Sequence, residues 1–420
     1  MKRIFLTALL IFSFNSINAQ QKLNLQECYT KARENYPLIK QKDYIAKTMD
    51  YSVSNVWKGY FPQISINAQA TYQSDVTTIP IPSMGTGYET LSQDQYKAVA
   101  DVSQVIYDGG MMGSQSDVQT SLASADDQKI EVELLKVKER VNQIYFGVLL
   151  LDEQLVQINL VKNDLDESLA KLKAALQNGT AIKSNVDVMK AELLKTRQKE
   201  IELAASRRAY ITMLGLLMNE ELDESIQLEL PNISTDYYQT EINRPELKMY
   251  SFQQSAIENQ DGLTTSKILP KLSLFFQGGY GKPTYNMLKN DFGWFYITGA
   301  KFSLPLSNLY THSNESEINE INKMSIDSQK ESFLLNTNIL MKQQIIEIDK
   351  LNELINLDKE IVDLRTSVKE AAKAQLDNGV ITSSDFIREL NAEDSARQNE
   401  AIHKVQLLMA QYNYQIITGN

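Results

Sequence analysis

Few residues in this chain are spaced for chemistry. Two runs, Ser184-Asn185-Val186-Asp187 and Thr382-Ser383-Ser384-Asp385, put a carboxylate three residues after a hydroxyl. That is capping-box spacing: hydroxyl and carboxylate oxygens each accept a backbone N–H that a first helical turn leaves free, and negative charge suits a helix N-terminus. The run Gly278-Gly279-Tyr280-Gly281-Lys282 carries glycines and a lysine, but the G-x-x-x-x-G-K spacing is absent and Pro283 stands where a phosphate-binding helix would start. It reads as a strand end with a turn. His312 and His403 are the only histidines, far apart in sequence, which excludes a histidine-rich metal site. Ser, His and Asp occur without a local nucleophile motif. The single cysteine, Cys28, cannot make an internal disulfide and suits the apolar face of a first helix as a small core residue. No catalytic constellation survives, so neither enzyme activity nor a cofactor is expected.

The elements that hold these residues are long. Leu134, Val137, Val141, Ile144, Val148, Leu151, Leu155 and Ile158 alternate spacings of three and four, and the rhythm resumes with Leu165, Leu169, Leu172 and Leu176. This is a coiled-coil seam on a helix expected over about 111–177. At ~1.5 Å per residue it spans roughly 100 Å, more than a globular domain needs. It stops at Asn178-Gly179, and a return helix is expected over about 184–218.

The N-terminus has a different character. Met1 to Ala19 reads as a cleaved signal peptide, with Lys2 and Arg3 before an apolar centre that is too short to span a bilayer. Loss of those two basic residues and no acidic one takes the formal charge from −11 to −13. An acidic chain without a basic block is a poor nucleic-acid binder. No other stretch approaches the ~20 apolar residues of a spanning helix. Asn24 opens a helix that reaches Trp57, with Glu27 completing capping-box spacing and a reset at Asn35-Tyr36-Pro37. After Pro62 strict alternation predicts a strand over about 63–73. A second strand, about 96–107, alternates less cleanly because Asp101 and Ser103 share a face with Val99 and Val105.

The second half repeats the first. Pro37 and Pro245, Pro62 and Pro270, and Tyr72 and Tyr280 share one offset of 208 residues, while the turns Asn178-Gly179 and Asn378-Gly379 differ by 200 because the second hairpin loop is shorter. A first repeat over 20–218, a connector over 219–243 and a second repeat over 244–420 follow. The second repeat is expected to hold strands at about 271–281 and 294–306, a long helix at about 310–377 carrying Ile361, Leu364, Val368, Ala371 and Gln375, and a return helix at about 383–417.

Strands of this length with one apolar face suit an outer-membrane barrel, the rival being a soluble sandwich edge. Four strands cannot close a barrel, and an open edge in lipid leaves backbone groups unpaired, so other copies must complete the sheet; three copies give twelve strands. Tyr280, Phe292, Trp294 and Tyr296 suit a membrane interface.

The opening Leu23-Asn24-Leu25-Gln26-Glu27-Cys28, the paired Asn-x-Pro triplets, Pro62 and Pro270 before the strands, the hairpin ends Ile106-Tyr107-Asp108-Gly109 and Leu304-Pro305-Leu306, and the two Asn-Gly turns resemble, as an ordered and duplicated set, the TolC-like outer-membrane efflux proteins. The resemblance implies an α+β membrane protein. Its homotrimeric twelve-stranded β-barrel, four strands per chain, continues as an α-helical coiled-coil tunnel through the periplasm of a Gram-negative bacterium. It implies an outer-membrane export duct serving a periplasmic adaptor and an inner-membrane pump in tripartite efflux or type I secretion. It places the turns Asn178, Gly179, Asn378 and Gly379 at the tunnel tip and makes Asp187 and Asp385 entrance candidates. Lys190 and Arg388 stand near them, Arg388 where some members carry a second acid. Gating and helix capping compete for the two aspartates. The alternative is a soluble periplasmic coiled-coil adaptor or scaffold, which two hairpins and two strand pairs in tandem disfavour.

Overall fold

The computed structural model describes residues 22–77, 91–232, 241–286 and 289–420, so the signal-peptide expectation lies outside the described residues. The elements, in chain order, are α1 (Leu25–Asn35), α2 (Lys40–Trp57), β1 (Gln63–Tyr72), β2 (Asp94–Tyr107), α3 (Met111–Gln177), α4 (Lys183–Met218), α5 (Pro245–Ser266), β3 (Lys271–Lys282), β4 (Gly293–Ser303), α6 (Leu309–Asp377) and α7 (Ser383–Thr418). The Asn35-Tyr36-Pro37 reset is a true break: α1 ends at Asn35 and a 3-10 turn at Pro37–Ile39 precedes α2. Pro245 opens α5 as its first residue, where a missing N–H does no harm. The chain forms two compact units that cut across the sequence halves.

One unit holds Lys40–Val132 and Arg244–Asn336 and contains the sheet. Its order is β1-β2-β3-β4 with every neighbouring pair antiparallel. The register pairs Ile64 with Val102, Ile66 with Ala100, Val102 with Phe276, and Tyr280 with Trp294. Because side chains alternate along a strand, one face therefore carries Ile64, Ile66, Ala100, Val102, Leu274, Phe276, Tyr280, Trp294 and Tyr296. The other face carries Ser65, Asn67, Asp101, Ser103, Gln277 and Lys301. This resolves the uneven alternation of β2: Asp101 and Ser103 belong to the polar face, and the apolar face is the opposite one. A register shift between Val105 and Tyr107 marks the irregular end of that strand.

The other unit comprises the described residues of Met1–Ile39, Glu133–Asn243 and Thr337–Asn420. Cys28, Tyr29 and Ala32 of α1 pack with Val141, Ile144, Tyr145 and Val148 of α3, Leu214 and Met218 of α4, and Val405 and Leu408 of α7. The Tyr145 hydroxyl meets the Leu23 carbonyl at 2.9 Å, and Leu23 bridges to Leu228 of the connector. Burial pushes the Cys28 thiol up to about 12, with neighbouring Glu27 adding to the shift, so it is an inert core thiol. A second core joins Leu165, Leu169 and Leu172 of α3 to Met189 and Leu193 of α4, Leu376 of α6, and Phe386 and Leu390 of α7.

Two sequence expectations need correction here. Helix α3 is long and apolar enough, by length and composition, to cross a membrane, with one window of mean hydropathy 1.3. Its apolar residues from Val141 to Leu149 pack instead into the first core. On α6, Ile361, Leu364 and Val368 lie on the exposed side, and the buried line runs through Ile355, Val362, Lys369, Ala372 and Leu376. A lysine at a buried heptad position disguised the inner seam.

Candidate channel face and helical turns

Both Asn-Gly turns have the same backbone solution. The Gly179 N–H donates to the Leu176 carbonyl and the Thr180 N–H to that of Ala175; Gly379 and Val380 repeat this with Leu376 and Gln375. These are Schellman motifs, and they need a left-handed residue, supplied by Gly179 at φ +74° and Gly379 at φ +71°.

The two return helices then start differently. Thr382 caps α7: its hydroxyl oxygen accepts the Asp385 N–H at 3.3 Å while Asp385 Oδ2 accepts the Thr382 N–H at 3.2 Å and the Thr382 hydroxyl at 2.7 Å. The Thr382 hydroxyl, then its amide, and more weakly Arg388 hold the Asp385 carboxyl below its usual range. Arg388 Nη1 lies 3.4 Å from Asp385 Oδ1 and its Nε 3.1 Å from Glu389. The expected box at Ser184 and Asp187 does not form. Helix α4 is capped by Ile182, which has no side-chain acceptor, so Ser184 already lies inside the helix. Counting from the glycines, Ile182 answers Thr382, Asn185 answers Asp385, and Asp187 answers Ile387. The two aspartates are not equivalent positions; the two-residue difference in their distance from the turn glycine was the signal. Asp187 and Lys190 are both exposed.

Above the turns the helices are tied by charge. Lys369, deep in the seam, lies 3.2 Å from Asp164 of α3, 3.0 Å from Glu370 and 3.5 Å from Glu393 of α7. Lys373 reaches Asp164 and Glu167, and Lys171 reaches Asp377 at 2.7 Å. Sequence periodicity follows apolar residues, so it gives no sign of this network.

At the sheet, all ten residues of β1 are exposed and β4 is almost as open. Ile66 is 80% and Trp294 83% exposed, so the apolar face has no cover among the described residues. Tyr280 stacks on Phe292 at 5.7 Å and meets Trp294 at 5.2 Å, and Phe276 stacks on Tyr296 at 6.2 Å. These aromatics form a band toward the hairpin end, as lipid headgroups favour. Among the described residues no group of three or more His, Cys, Asp or Glu is placed to hold a metal ion.

The family model described as outer membrane efflux protein matches residues 28–219. No curated protein sequence matches the chain. Solved structures share its fold over 94% of its length. VceC of Vibrio cholerae, at 14% identity, is covered over 96% of its own chain with a TM-score of 0.70. CusC, also at 14%, is covered over 92% with a TM-score of 0.71. The open-state MtrE outer membrane channel of Neisseria gonorrhoeae, at 13%, is covered over 89% with a TM-score of 0.68. The chain is therefore similar to outer membrane efflux proteins over residues 28–219, and its four strands and duplicated long helices share the fold of solved outer-membrane channels over nearly its whole length.

Proposed function

We propose that three copies of this chain close a twelve-stranded barrel and a helical tunnel that receives solutes from a periplasmic adaptor and an inner-membrane pump. The observation that carries this is the sheet itself: among the described residues β1 and β4 have no partner on their outer edges and the apolar face is bare. Unpaired edges in lipid are costly, and each copy offers the complementary edge to the next. A second apolar line on α6, Leu357, Ile361, Leu364 and Val368, is exposed at heptad spacing and suits contact with another copy. The repeats over 20–218 and 244–420, joined by 219–243, are the two halves of each stave, and Met1 to Ala19 is the export leader. A native mass measurement on detergent-extracted protein tests the assembly: a trimer is expected, and a soluble periplasmic monomer would sink it.

At the tip, the geometry favours unequal roles. Asp385 is committed to its cap, whereas Asp187 is an exposed carboxylate, so Asp187 is the candidate for a charged entrance ring with Lys190 nearby. Asp187→Asn is expected to reduce cation block in single-channel recordings and Asp385→Asn to leave it nearly unchanged. Equal effects would reject this division.

A further inference from the structure

Three glycines in four residues weaken a strand unless something must come close, and Gly278-Gly279-Tyr280-Gly281 sits inside β3. What comes close lies on the polar, channel-facing side of the sheet. A Cβ at Gly279 would fall 2.8 Å from Phe295 Cζ and 2.5 Å from the Ala98 carbonyl; one at Gly281 would fall 2.7 Å from the Tyr96 carbonyl and 3.2 Å from Lys97 Cα. Phe295 lies flat in that gap. Tyr285, from the β3–β4 connection, meets its ring edge-on at 4.9 Å. The Tyr285 hydroxyl donates to Gln277 Oε1 at 2.7 Å, and Gln277 in turn donates to Asp101 at 2.5 Å. Lys97 Nζ stands over both rings, 5.5 Å from Tyr285 and 5.1 Å from Phe295. The same connection sends Phe292 to the opposite, apolar face, stacked between Tyr96 at 6.1 Å and Tyr280 at 5.7 Å. Tyr285 and Phe292 thus anchor the two described ends of the connection on opposite faces of the sheet. Val99, Gly279 and Gly281 are buried beneath it, in a sheet whose β1 is exposed throughout.

We infer that Tyr285, held over Phe295 as a strap on the channel face, and Lys97 narrow the outer mouth of the barrel, one of each from every copy, and that Lys97 gives it positive charge. The inference rests on the trimeric-duct reading above. It is specific to the hairpin end, which in an outer-membrane channel with periplasmic helices opens to the exterior.

The test uses full-length protein reconstituted in planar bilayers, with neutral polyethylene glycols of graded size added on the hairpin side. Tyr285→Ala, and Phe295→Ala which removes its support, are expected to move the size cut-off for polymer entry toward larger polymers. Tyr296→Ala on the lipid face is expected to keep the wild-type cut-off. Lys97→Gln is expected to shift the reversal potential under a salt gradient toward cation selectivity. Conducting wild-type protein with the same cut-off in both aromatic variants overturns the strap and leaves the duct standing. Wild-type protein that never conducts overturns the duct and the strap with it.

Discussion

Replacing Glu393 with alanine removes the carboxylate at the centre of the buried tie between α6 and α7. Glu393 is 4% exposed and accepts from Arg397 Nε at 2.7 Å and the Thr366 hydroxyl at 3.1 Å, with Lys369 at 3.5 Å. Breaking a buried pair from one side costs about 3–5 kcal/mol, because the partner charge is left behind. Here Lys369 keeps Asp164 and Glu370, and Arg397 keeps a hydrogen bond to Thr366, so the lower end, about 3 kcal/mol, is expected. Lys369→Met should behave differently. It forfeits charge-assisted hydrogen bonds of about 1.5–3 kcal/mol each but buries an apolar side chain in a seam position, a gain of about 1.5–3 kcal/mol. Asp164 retains Lys373 and Glu393 retains Arg397, so the net change should be within about 1–2 kcal/mol. Amide hydrogen exchange across Leu390–Arg397 in the detergent-solubilised protein reads the local opening free energy. A loss below about 1 kcal/mol for Glu393→Ala, or equal losses for the two variants, would refute the reasoning.

Three further outcomes follow from the turns and the tip helices. Thr382→Ala should cost the start of α7 about 0.5–2 kcal/mol, and Ile182→Thr should stabilise the start of α4 by a smaller amount; exchange of the first-turn amides checks both, and matching effects of one sign would be incompatible with the observed caps. Gly179→Ala and Gly379→Ala should each cost about 1–2 kcal/mol through left-handed backbone alone, since no atom lies within 4 Å of the added Cβ; a change in thermal midpoint for only one of them would contradict the equivalence of the turns. Burial raises the Asp394 carboxyl above its ordinary value, with Gln398 opposing and Glu393 adding. The stability linked to its proton is therefore complete below the unfolded value near 4 and is lost as pH rises through the folded value. Asp394→Asn should raise the thermal midpoint at neutral pH but not near pH 3, and an equal gain at both would exclude the assignment.

The architecture was legible because it is written in periods: 208-residue offsets between prolines and tyrosines, strict alternation after Pro62 and Pro270, and glycines at both helix ends. What sequence reading lost were positions where local chemistry departs from period. Lys369 and Asp358 occupy buried heptad positions of α6, so the polar residues hid the inner seam and the apolar Ile361, Leu364 and Val368 imitated it. Asp358 is matched by His403 Nδ1 at 2.5 Å, a partner 45 residues away that no periodicity reveals. Ser184 and Asp187 had the spacing of a cap but began two residues too late, because the start of a helix is set by backbone geometry after the turn. The glycines of β3 were visible, but what they make room for comes from β4 and from the connection beyond.

The unpaired outer edges of β1 and β4 also bear on how this protein tolerates damage. In the proposed trimer, a ring of three identical pieces closes only if every edge is sound, so one faulty protomer spoils its neighbours. In cells making wild-type chain together with a variant whose β1 edge cannot pair, closed channels should fall as the cube of the wild-type fraction. Such an allele would be dominant, and the extent of its dominance would count the copies in the ring.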